Sequence, residues 1–483
     1  MFEANLSKYK KKSKHIILNN LNNDFIIGNS FLFKSKIRNS KEVSPKKINL
    51  ISILINLIFI SVANIYKRLK PKDKYSNINN YKNINNISTI FVSHLSLNNN
   101  QSEFFDDNYF GKIIDINNEK AKKLIIYIPH NIKKISNNLK KKLDKNKNLV
   151  IIIPRKENYN KEIYKIIITF IRSIKVIFKS IFKNNLYDKW FDKKLAISIS
   201  SETTLQNIAD VQNIIEIVKK TNCKKIFFPF EGFAWERLLL KKINSLNSSI
   251  NTYGYINSGI FKYQIGIYER IKKNIYPKYF LTSGSLINNY LSKRLEIDNN
   301  YIYNIGSNRY KKVNGNYCKL KKSNNILILL EALNEEINIL INFGIVLAKS
   351  NNNLKVIFKI HPLSNSKLLK SKINDYSNID ITNNPNIYKY SNFVIFRGST
   401  SIIEAIQYGC VPIYYNNESE LNVSPISLIF SKLFNVGNSD EFNKIFINFD
   451  KNKYNKKLSI IYNKVKYYYE PLKINKIKKI MND

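Results

Sequence analysis

Short apolar runs rich in β-branched residues alternate with longer segments of helical periodicity through most of the chain. Such runs predict buried strands, and their alternation with helices predicts parallel sheets covered on both faces. Predicted strands in the first part of the chain lie at 89–93, 123–128, 149–153, 225–229, 252–256, 279–282 and 301–305. The last two of these could belong to either half. Strands predicted in the second half lie at 326–330, 355–360, 393–396 and 411–415.

Two groups of strands predict an α/β fold with two Rossmann-like, doubly wound domains facing a central cleft. We place the first domain at residues 1–275 and the second at 310–455. A C-terminal helix region is placed at 456–483. Ligands of doubly wound sheets bind at the carboxyl ends of the strands, so polar residues at these ends are the candidates for a functional site.

One segment, 48–66, has 19 residues without a charge and is flanked by lysine and arginine. This length barely spans a bilayer, and Asn49, Asn56 and Asn64 would be costly inside one. The three asparagines recur at about two-turn spacing, so on a helix they share a face. The pattern favours a core helix with a polar stripe, and the alternative is a helix that lies on or spans a membrane.

A second segment, 164–190, mixes apolar residues with cations that recur every three or four positions, namely Arg172, Lys175, Lys179 and Lys183. This spacing places the cations along one helical face, opposite an apolar one. A basic amphipathic helix of this kind can lie on an anionic membrane or pack on a sheet, and the sequence pattern is the same for both.

The charge balance indicates an anionic partner, because 79 Lys+Arg against 35 Asp+Glu give a formal net charge of +44. Lysine, asparagine and isoleucine are nevertheless abundant everywhere, as in a chain of biased composition, and no basic stripe interleaved with aromatics is found. We therefore predict no nucleic-acid partner.

The three cysteines lie far apart and indicate neither a disulfide framework nor a zinc site, and the first residues lack the apolar core of a signal peptide. These features predict a cytoplasmic protein, with peripheral association with the inner face of the plasma membrane left open.

His361 and Pro362 follow a predicted strand of the second half. An imidazole at a strand end can donate a hydrogen bond or a positive charge to a phosphate oxygen, and the alternative is a structural histidine. The next polar strand end carries Gly398 and the hydroxyl cluster, which we define as Ser399, Thr400 and Ser401. Small hydroxyl residues before a helix suit a phosphate and are equally common as ordinary helix caps.

Glu404 lies about one turn into the helix that follows the hydroxyl cluster. Its carboxylate can accept hydrogen bonds from ribose hydroxyls in the same crevice, or merely favour the helix N-terminus. In the first half, Glu231 follows a strand end and lies among phenylalanines. Partial desolvation raises the pKa of such a carboxyl and suits a general base that takes a proton from a sugar hydroxyl. Glu236 is the next candidate along the chain, but it falls further into the helix and could instead pair with Lys241 or Arg237.

Three segments, "FEG" at 230–232, "KIHP" at 359–362 and "FRGSTSIIEA" at 396–405, follow one another along the chain. Their order and spacing resemble the motifs of bacterial GT-B glycosyltransferases that use cytidine-monophosphate-activated sugars, such as sialyltransferases, capsule polysialyltransferases and the Kdo transferases of capsule assembly. The run from "FPFEGFAWE" through "GYINSG", "YFLTSGS" and "YNIGSNRY" also resembles a surface-carbohydrate biosynthesis family with the same fold. The resemblance covers about residues 225–415. The fold that it implies has a C-terminal helix region, here 456–483, that crosses back to the first domain.

The resemblance implies that Glu231 activates the acceptor hydroxyl and that His361 neutralises the leaving phosphate. The hydroxyl cluster would hold that phosphate together with Gly398 and Pro362, and Glu404 would hold the ribose. Phe230 stands where the sialyltransferases often carry a second acid. No Asp-x-Asp lies in a convincing strand-end turn, so no metal and no cofactor are predicted, and the nucleotide sugar is the donor substrate.

Sequence and resemblance together predict an inverting, metal-independent glycosyltransferase of surface-polysaccharide biosynthesis, of the kind that builds capsule or lipopolysaccharide. Its partners would be a nucleotide-sugar donor, for which a CMP-sugar is the candidate, and a glycan or lipid-linked glycan acceptor. Two alternatives stay open within enzymes, a transferase that builds polymers from CDP-glycerol and a sugar-nucleotide epimerase. A non-catalytic basic protein that binds nucleic acid or an anionic membrane is the alternative from another class.

Overall fold

The computed structural model describes residues 50–69, 84–95, 107–116, 123–129, 137–145, 148–154, 159–182, 186–261, 267, 275–310, 324–331, 334–361, 371–384, 386–416, 422–427, 429, 434–449 and 451–482. Two parallel sheets organise these residues, one of seven strands and one of six. Helices connect and cover the strands of both sheets. The predicted class, an α/β fold with two Rossmann-like, doubly wound parallel-sheet domains, is confirmed.

The first sheet belongs to the first half of the chain. Its strands are β1 (Thr89–Leu95), β2 (Lys123–Pro129), β3 (Leu149–Ile152), β4 (Lys225–Pro229), β5 (Asn251–Ile256), β6 (Tyr279–Thr282) and β7 (Ile302–Asn304). They lie in the order β3-β2-β1-β4-β5-β6-β7. The helices described in this half are α1 (Leu50–Leu69), α2 (Lys112–Asp115), α3 (Asn137–Asp144), α4 (Tyr159–Ile181), α5 (Leu186–Ile199), α6 (Glu202–Val218), α7 (Ala234–Leu246) and α8 (Ser285–Leu295).

The second sheet has the same kind of strand order. Its strands are β8 (Asn325–Leu329), β9 (Lys355–Lys359), β10 (Ile379–Thr382), β11 (Phe393–Phe396), β12 (Val411–Tyr415) and β13 (Phe434–Val436). They lie in the order β10-β9-β8-β11-β12-β13. The helices described in this half are α9 (Asn334–Ser350), α10 (Ser401–Gln407), α11 (Ser439–Ile447), α12 (Lys451–Val465) and α13 (Ile474–Asn482).

Every strand predicted from the apolar runs is present, with ends that differ by at most two residues. The strands β6 and β7, which could have belonged to either half, extend the first sheet to Asn304, beyond residue 275. Two strands were missed, β10 and β13, and both lie at edges of the second sheet. An edge strand is short and partly exposed, so it lacks the continuous apolar run that marks a buried strand.

The C-terminal helix α13 packs against the first sheet. Its residues Ile477, Ile480 and Met481 belong to one apolar cluster with Phe91 of β1. The Nζ atom of Lys225 donates to the carbonyl oxygens of Ile480 and Met481, at 3.1 and 2.8 Å. A cation at this position satisfies carbonyl groups that the end of a helix leaves unpaired.

The segment before α13 connects the two halves of the molecule. The hydroxyl of Tyr468 donates to the carbonyl oxygens of Ile260 in the first half, at 3.3 Å, and Pro425 in the second half, at 2.7 Å. A Cβ atom on Gly284 would lie 2.6 Å from the carbonyl oxygen of Tyr468. Glycine at 284 therefore allows the two backbones to approach each other.

Helix α1 corresponds to the uncharged segment predicted at 48–66, and its described part begins at Leu50. The Nδ2 atom of Asn64 is buried and donates to the Ser200 carbonyl oxygen at 2.7 Å. Asn56 is exposed, so these two asparagines do not form one buried stripe. Among the described helices, none has the length and apolar character needed to cross a membrane. The segment predicted at 164–190 divides between α4 and α5.

Candidate active site between the two sheets

Each sheet has a topological switch point, where the strand order reverses. In the first sheet this point lies between β1 and β4, and in the second between β8 and β11. A crevice opens there at the carboxyl ends of the strands, and ligands of doubly wound folds bind in it. His94 and Glu231 lie at the first switch point, whereas Glu331 and Gly398 lie at the second.

A buried carboxylate shapes the loop that carries Glu231. The Oε2 atom of Glu236 accepts the backbone N–H groups of Glu231, Gly232 and Phe233, at 3.0, 2.7 and 3.0 Å. Gly232 has φ 78°, a conformation that favours glycine. Instead of the pairing with Arg237 or Lys241 that the sequence left open, the carboxylate of Glu236 binds the three amides of this tight turn. Glu236 is thus a positioning residue for Glu231.

The environment of Glu231 suits a base. Burial raises the pKa of its carboxyl above the ordinary value, and a hydrogen bond with Ser258 and the charge of Arg309 act in the opposite direction. Ser258 follows β5, the neighbour of β4 in the sheet. A carboxylate with a raised pKa binds a proton more strongly than an exposed one, and Arg309 keeps the charged form accessible.

Aromatic rings line the first-domain side of this crevice. The ring of His94 lies 5.6 Å from the ring of Tyr109 and 5.2 Å from that of Trp235. Burial and the charges of Glu231 and Glu236 raise the pKa of Tyr109, so its phenol remains protonated. Rings beside a carboxylate offer apolar faces and hydrogen-bonding edges to a polar ligand.

Arg309 joins the acidic groups of the two domains. It follows β7 of the first domain, and its Nε atom lies 3.8 Å from Oε1 of Glu404 on α10 of the second. Its Nη1 atom donates to the hydroxyl of Tyr469 at 3.0 Å. The buried Tyr469 and the charges of Glu404 and Glu231 raise the pKa of Arg309 against the effect of burial. Arg309 is therefore a fixed cation between a first-domain acid and a second-domain acid.

Two basic groups end strand β9 on the second-domain side. Burial lowers the pKa of Lys359, and the charge of Glu404 opposes this effect. Burial and the charges of Lys359 and Arg309 lower the pKa of His361, so its imidazole is neutral at neutral pH. His361 can therefore offer a hydrogen bond here, whereas the positive charge comes from Lys359 and Arg309. Pro362 lies outside the described residues.

The segment with the hydroxyl cluster has several partners. The N–H of Gly398 donates to Oε1 of Glu331 at 2.6 Å, so a carboxylate occupies the amide that was expected to meet a phosphate. Ser399 is buried, and the Thr400 methyl lies against Gly259 of the first domain. The hydroxyl of Ser401 interacts with the buried phenol of Tyr388.

The structure brings Glu231, His361 and Glu404 into one electrostatic neighbourhood around Arg309. Of the hydroxyl cluster, Thr400 lies beside Gly259 of the first domain, and Ser401 interacts with Tyr388 of the second. Sequence reasoning missed Arg309, Lys359 and Glu331. Lys359 and Glu331 border strand ends that the apolar runs had located, so their positions carried a signal that was overlooked.

The described residues contain no group of three or more His, Cys, Asp or Glu side chains that could hold a metal ion. Metal independence stays a prediction, because the lack of such a group among the described residues does not test it.

Comparisons with known proteins give structural neighbours only. No family model matches the chain, and no curated protein matches it. One similar structure is the glycosyltransferase SnogD from Streptomyces nogalater, with 9% identity, TM-score 0.45, and coverage of 82% of this chain and 99% of that one. Another is a UDP-GlcNAc 2-epimerase from Neisseria meningitidis bound to UDP-GlcNAc, with 12% identity, TM-score 0.42, and coverage of 82% and 99%. A third is the wall teichoic acid polymerase TagF, with 11% identity, TM-score 0.41, and coverage of 90% and 97%. At these identities the comparison assigns neither activity nor substrate to this chain.

Proposed function

We propose that this protein is an inverting glycosyltransferase that moves a sugar from a nucleotide donor, of the CMP-sugar type, to a surface-glycan acceptor. The observation that carries the proposal is the position of Arg309, whose charge acts on Glu231 of the first domain and on Glu404 and His361 of the second. Direct displacement needs a base on one side of the anomeric carbon and a group that binds the leaving phosphate on the other. In the proposal, Glu231 of the first domain is the base, and Lys359 and His361 of the second domain bind the leaving phosphate.

In the proposed reaction, Glu231 takes the proton of the acceptor hydroxyl. The acceptor oxygen attacks the anomeric carbon, and the bond from that carbon to the donor phosphate breaks. The phosphate oxygen leaves with the electron pair, so negative charge develops on the second-domain side. Lys359 and Arg309 supply positive charge there, and the neutral imidazole of His361 supplies a hydrogen bond.

The donor nucleotide is proposed to lie over the switch point of the second sheet. Glu404 would accept hydrogen bonds from the ribose, and Ser399 and Thr400, with Gly398 and Pro362, would border the phosphate. The N–H of Gly398 donates to Glu331, so the proposal assigns no hydrogen bond from that amide to the phosphate. No metal or cofactor is part of the proposal, and the acceptor would be a glycan or a lipid-linked glycan.

A donor panel tests this function. The full chain is incubated with CMP-sialic acid, CMP-Kdo, CDP-glycerol or UDP-GlcNAc, with and without oligosaccharide acceptors, and the products are identified by mass. We expect acceptor-dependent release of CMP and one added sugar. Transfer of glycerol phosphate would favour a polymer phosphotransferase, and conversion of UDP-GlcNAc without an acceptor would favour an epimerase. Either result would replace the proposal.

A further inference from the structure

Helices α1 and α4 have an inverted distribution of polar and apolar side chains. The buried side of α4 carries the polar residues Glu162, Lys165, Thr169, Ser173 and Ser180. Its exposed apolar residues, with Phe182 just beyond the helix, are Tyr164, Ile167, Ile171, Phe178, Ile181 and Phe182. Helix α1 buries Asn64 and Arg68, whereas Phe59 is 75% exposed. A helix on a water-exposed surface normally has the opposite arrangement.

Specific bonds hold the polar side chains inside. Nη1 of Arg68 lies 2.6 Å from Oε2 of Glu162, and both side chains are almost fully buried. The hydroxyl of Ser173 donates to the carbonyl oxygen of Ala196 at 2.8 Å. Separation of a buried ion pair leaves two uncompensated charges inside the protein, so neither helix can rotate to hide its apolar face. The exposure of that face is therefore built into the fold.

The exposed apolar residues of the two helices adjoin. Arg68 contacts Glu162 near one end of the pair, and Ile53 and Ile177 share an apolar cluster near the other end. From the Ile53 end to the Arg68 end of the pair, residue numbers rise along α1 and fall along α4. The two helices are therefore antiparallel. Phe59 lies about level with Ile171 in this register. We call the exposed apolar residues of α1 and α4 the inverted face.

Positive charge accompanies the inverted face. Lys175 and Lys179 are exposed between Ile171, Phe178 and Ile181 on the same helix. The occupant of such a surface must be apolar inside and anionic at its boundary. We infer that the inverted face docks on an anionic lipid membrane, with its aromatic and aliphatic side chains among the acyl chains and its lysines at the headgroups.

A second copy of the chain fits this surface less well. A symmetric dimer buries the same patch of both copies, so Lys175 and Lys179 of each copy would lie together in one interface. The formal net charge of +44 adds repulsion between whole molecules. An anionic membrane instead gains from each of these charges. The inference goes beyond the proposed function and does not depend on it.

Vesicle flotation of the full chain tests the inference, with phosphatidylcholine vesicles and vesicles that also contain phosphatidylglycerol. The double variant Phe59→Ser/Phe178→Ser removes two exposed rings, and Lys175→Gln/Lys179→Gln removes two charges. Matched controls are Ile447→Ser on α11, where Ile447 is 76% exposed, and Lys224→Gln/Lys293→Gln at exposed positions away from both helices. Far-UV circular dichroism and thermal unfolding show whether each variant folds.

We expect binding to the anionic vesicles and much weaker binding to phosphatidylcholine alone. The aromatic variant should bind at least about tenfold more weakly, and the lysine variant about fivefold more weakly per charge removed. Both controls should bind like the natural chain. Absence of binding, or equal binding by the natural chain and the folded aromatic variant, would overturn the inference. Sedimentation velocity without vesicles is the second readout, and dimers that dissociate in the aromatic variant would assign the face to self-association.

Discussion

The side chains of Arg309 and Glu404 lie 3.8 Å apart although they belong to different domains. Arg309 also acts on Glu231, so its guanidinium couples the acid at the first switch point to the acid above the second. A cation in this position has two consequences for an enzyme. It keeps Glu231 accessible in the charged form, and it supplies positive charge near the proposed leaving group.

Replacement of Arg309 should move the acid limb of the pH–rate profile. Burial raises the pKa of Glu231 and Arg309 lowers it, so Arg309→Gln removes a group that favours the carboxylate. The pKa of Glu231 then rises further, and the rate is lost at a higher pH on acidification than in the natural chain. Arg309→Lys retains a charge and should move the limb less. Profiles of kcat/KM against pH measure the effect, and a limb that stays in place in Arg309→Gln would contradict the coupling.

Replacement of His361 should separate hydrogen bonding from charge. Burial, Lys359 and Arg309 lower the pKa of His361, so the neutral imidazole acts as a hydrogen-bond donor at neutral pH. His361→Ala should weaken CMP binding by about tenfold, the value of one hydrogen bond to a charged group. His361→Asn keeps an N–H donor and should retain more affinity. Titration calorimetry measures the CMP affinity of both variants. Equal affinities of His361→Ala, His361→Asn and the natural chain would exclude contact between His361 and the nucleotide.

Much of the fold was predictable from the sequence, because the interior strands are continuous apolar runs. The edge strands β10 and β13 were missed, since exposed polar residues interrupt them. The predicted site residues that the structure brings together, Glu231, His361 and Glu404, could be found because they follow strands or begin a helix. Arg309 could not be found in this way, since its role depends on partners from the other domain and on Tyr469 near the C-terminus.

The inverted helices show a different limit of sequence reading. An apolar stripe and a polar stripe on one helix predict two faces, and they do not say which face packs on the protein. In α4 the polar stripe is inside, because Glu162 pairs with Arg68 and Ser173 bonds to Ala196 of the neighbouring helix. These partners lie far away in the sequence, so only the tertiary structure decides the orientation.

Glu470 should stabilise the fold above acidic pH. Burial opposes its ionisation, but hydrogen bonds from Lys473, Ser285 and Asn304 outweigh this effect and lower the pKa of Glu470 from 4.5 to about 2. A depressed pKa contributes stability above the unfolded value of 4.5, and this stability is lost as the pH falls through about 2. Glu470→Gln should therefore lower the free energy of unfolding at pH 7 by about 1–3 kcal/mol.

Urea unfolding of the natural chain and Glu470→Gln, at neutral pH and at a series of acidic pH values, measures this difference. The difference in the free energy of unfolding between the natural chain and Glu470→Gln should decrease as the pH falls from 4.5 towards about 2. Glu441→Gln is a control from an exposed helix start in the second domain. A difference in the free energy of unfolding that does not change with pH would show that the charge of Glu470 does not cause the stabilisation.

Gly284→Ala should destabilise the junction between the C-terminal segment and the first domain. The added methyl would lie 2.6 Å from the carbonyl oxygen of Tyr468, and backbone cannot move aside as a flexible side chain can. Overpacking of this kind costs about 1–3 kcal/mol. Gly437→Ala is the matched control, because its methyl would meet its nearest neighbour, the Asn416 carbonyl oxygen, at 3.3 Å. Thermal unfolding should show a lower Tm for Gly284→Ala and little change for the control.

The most direct test of the central claim is the single-turnover rate of sugar transfer by Glu231→Gln at saturating donor. The variant keeps the size of the side chain and loses the base, so we expect transfer to slow by about 10²–10⁴-fold while CMP affinity stays that of the natural chain. Transfer at the natural rate would contradict the assignment of Glu231 as the base. A loss of CMP affinity equal to that of His361→Ala would contradict the division of the site between the two domains.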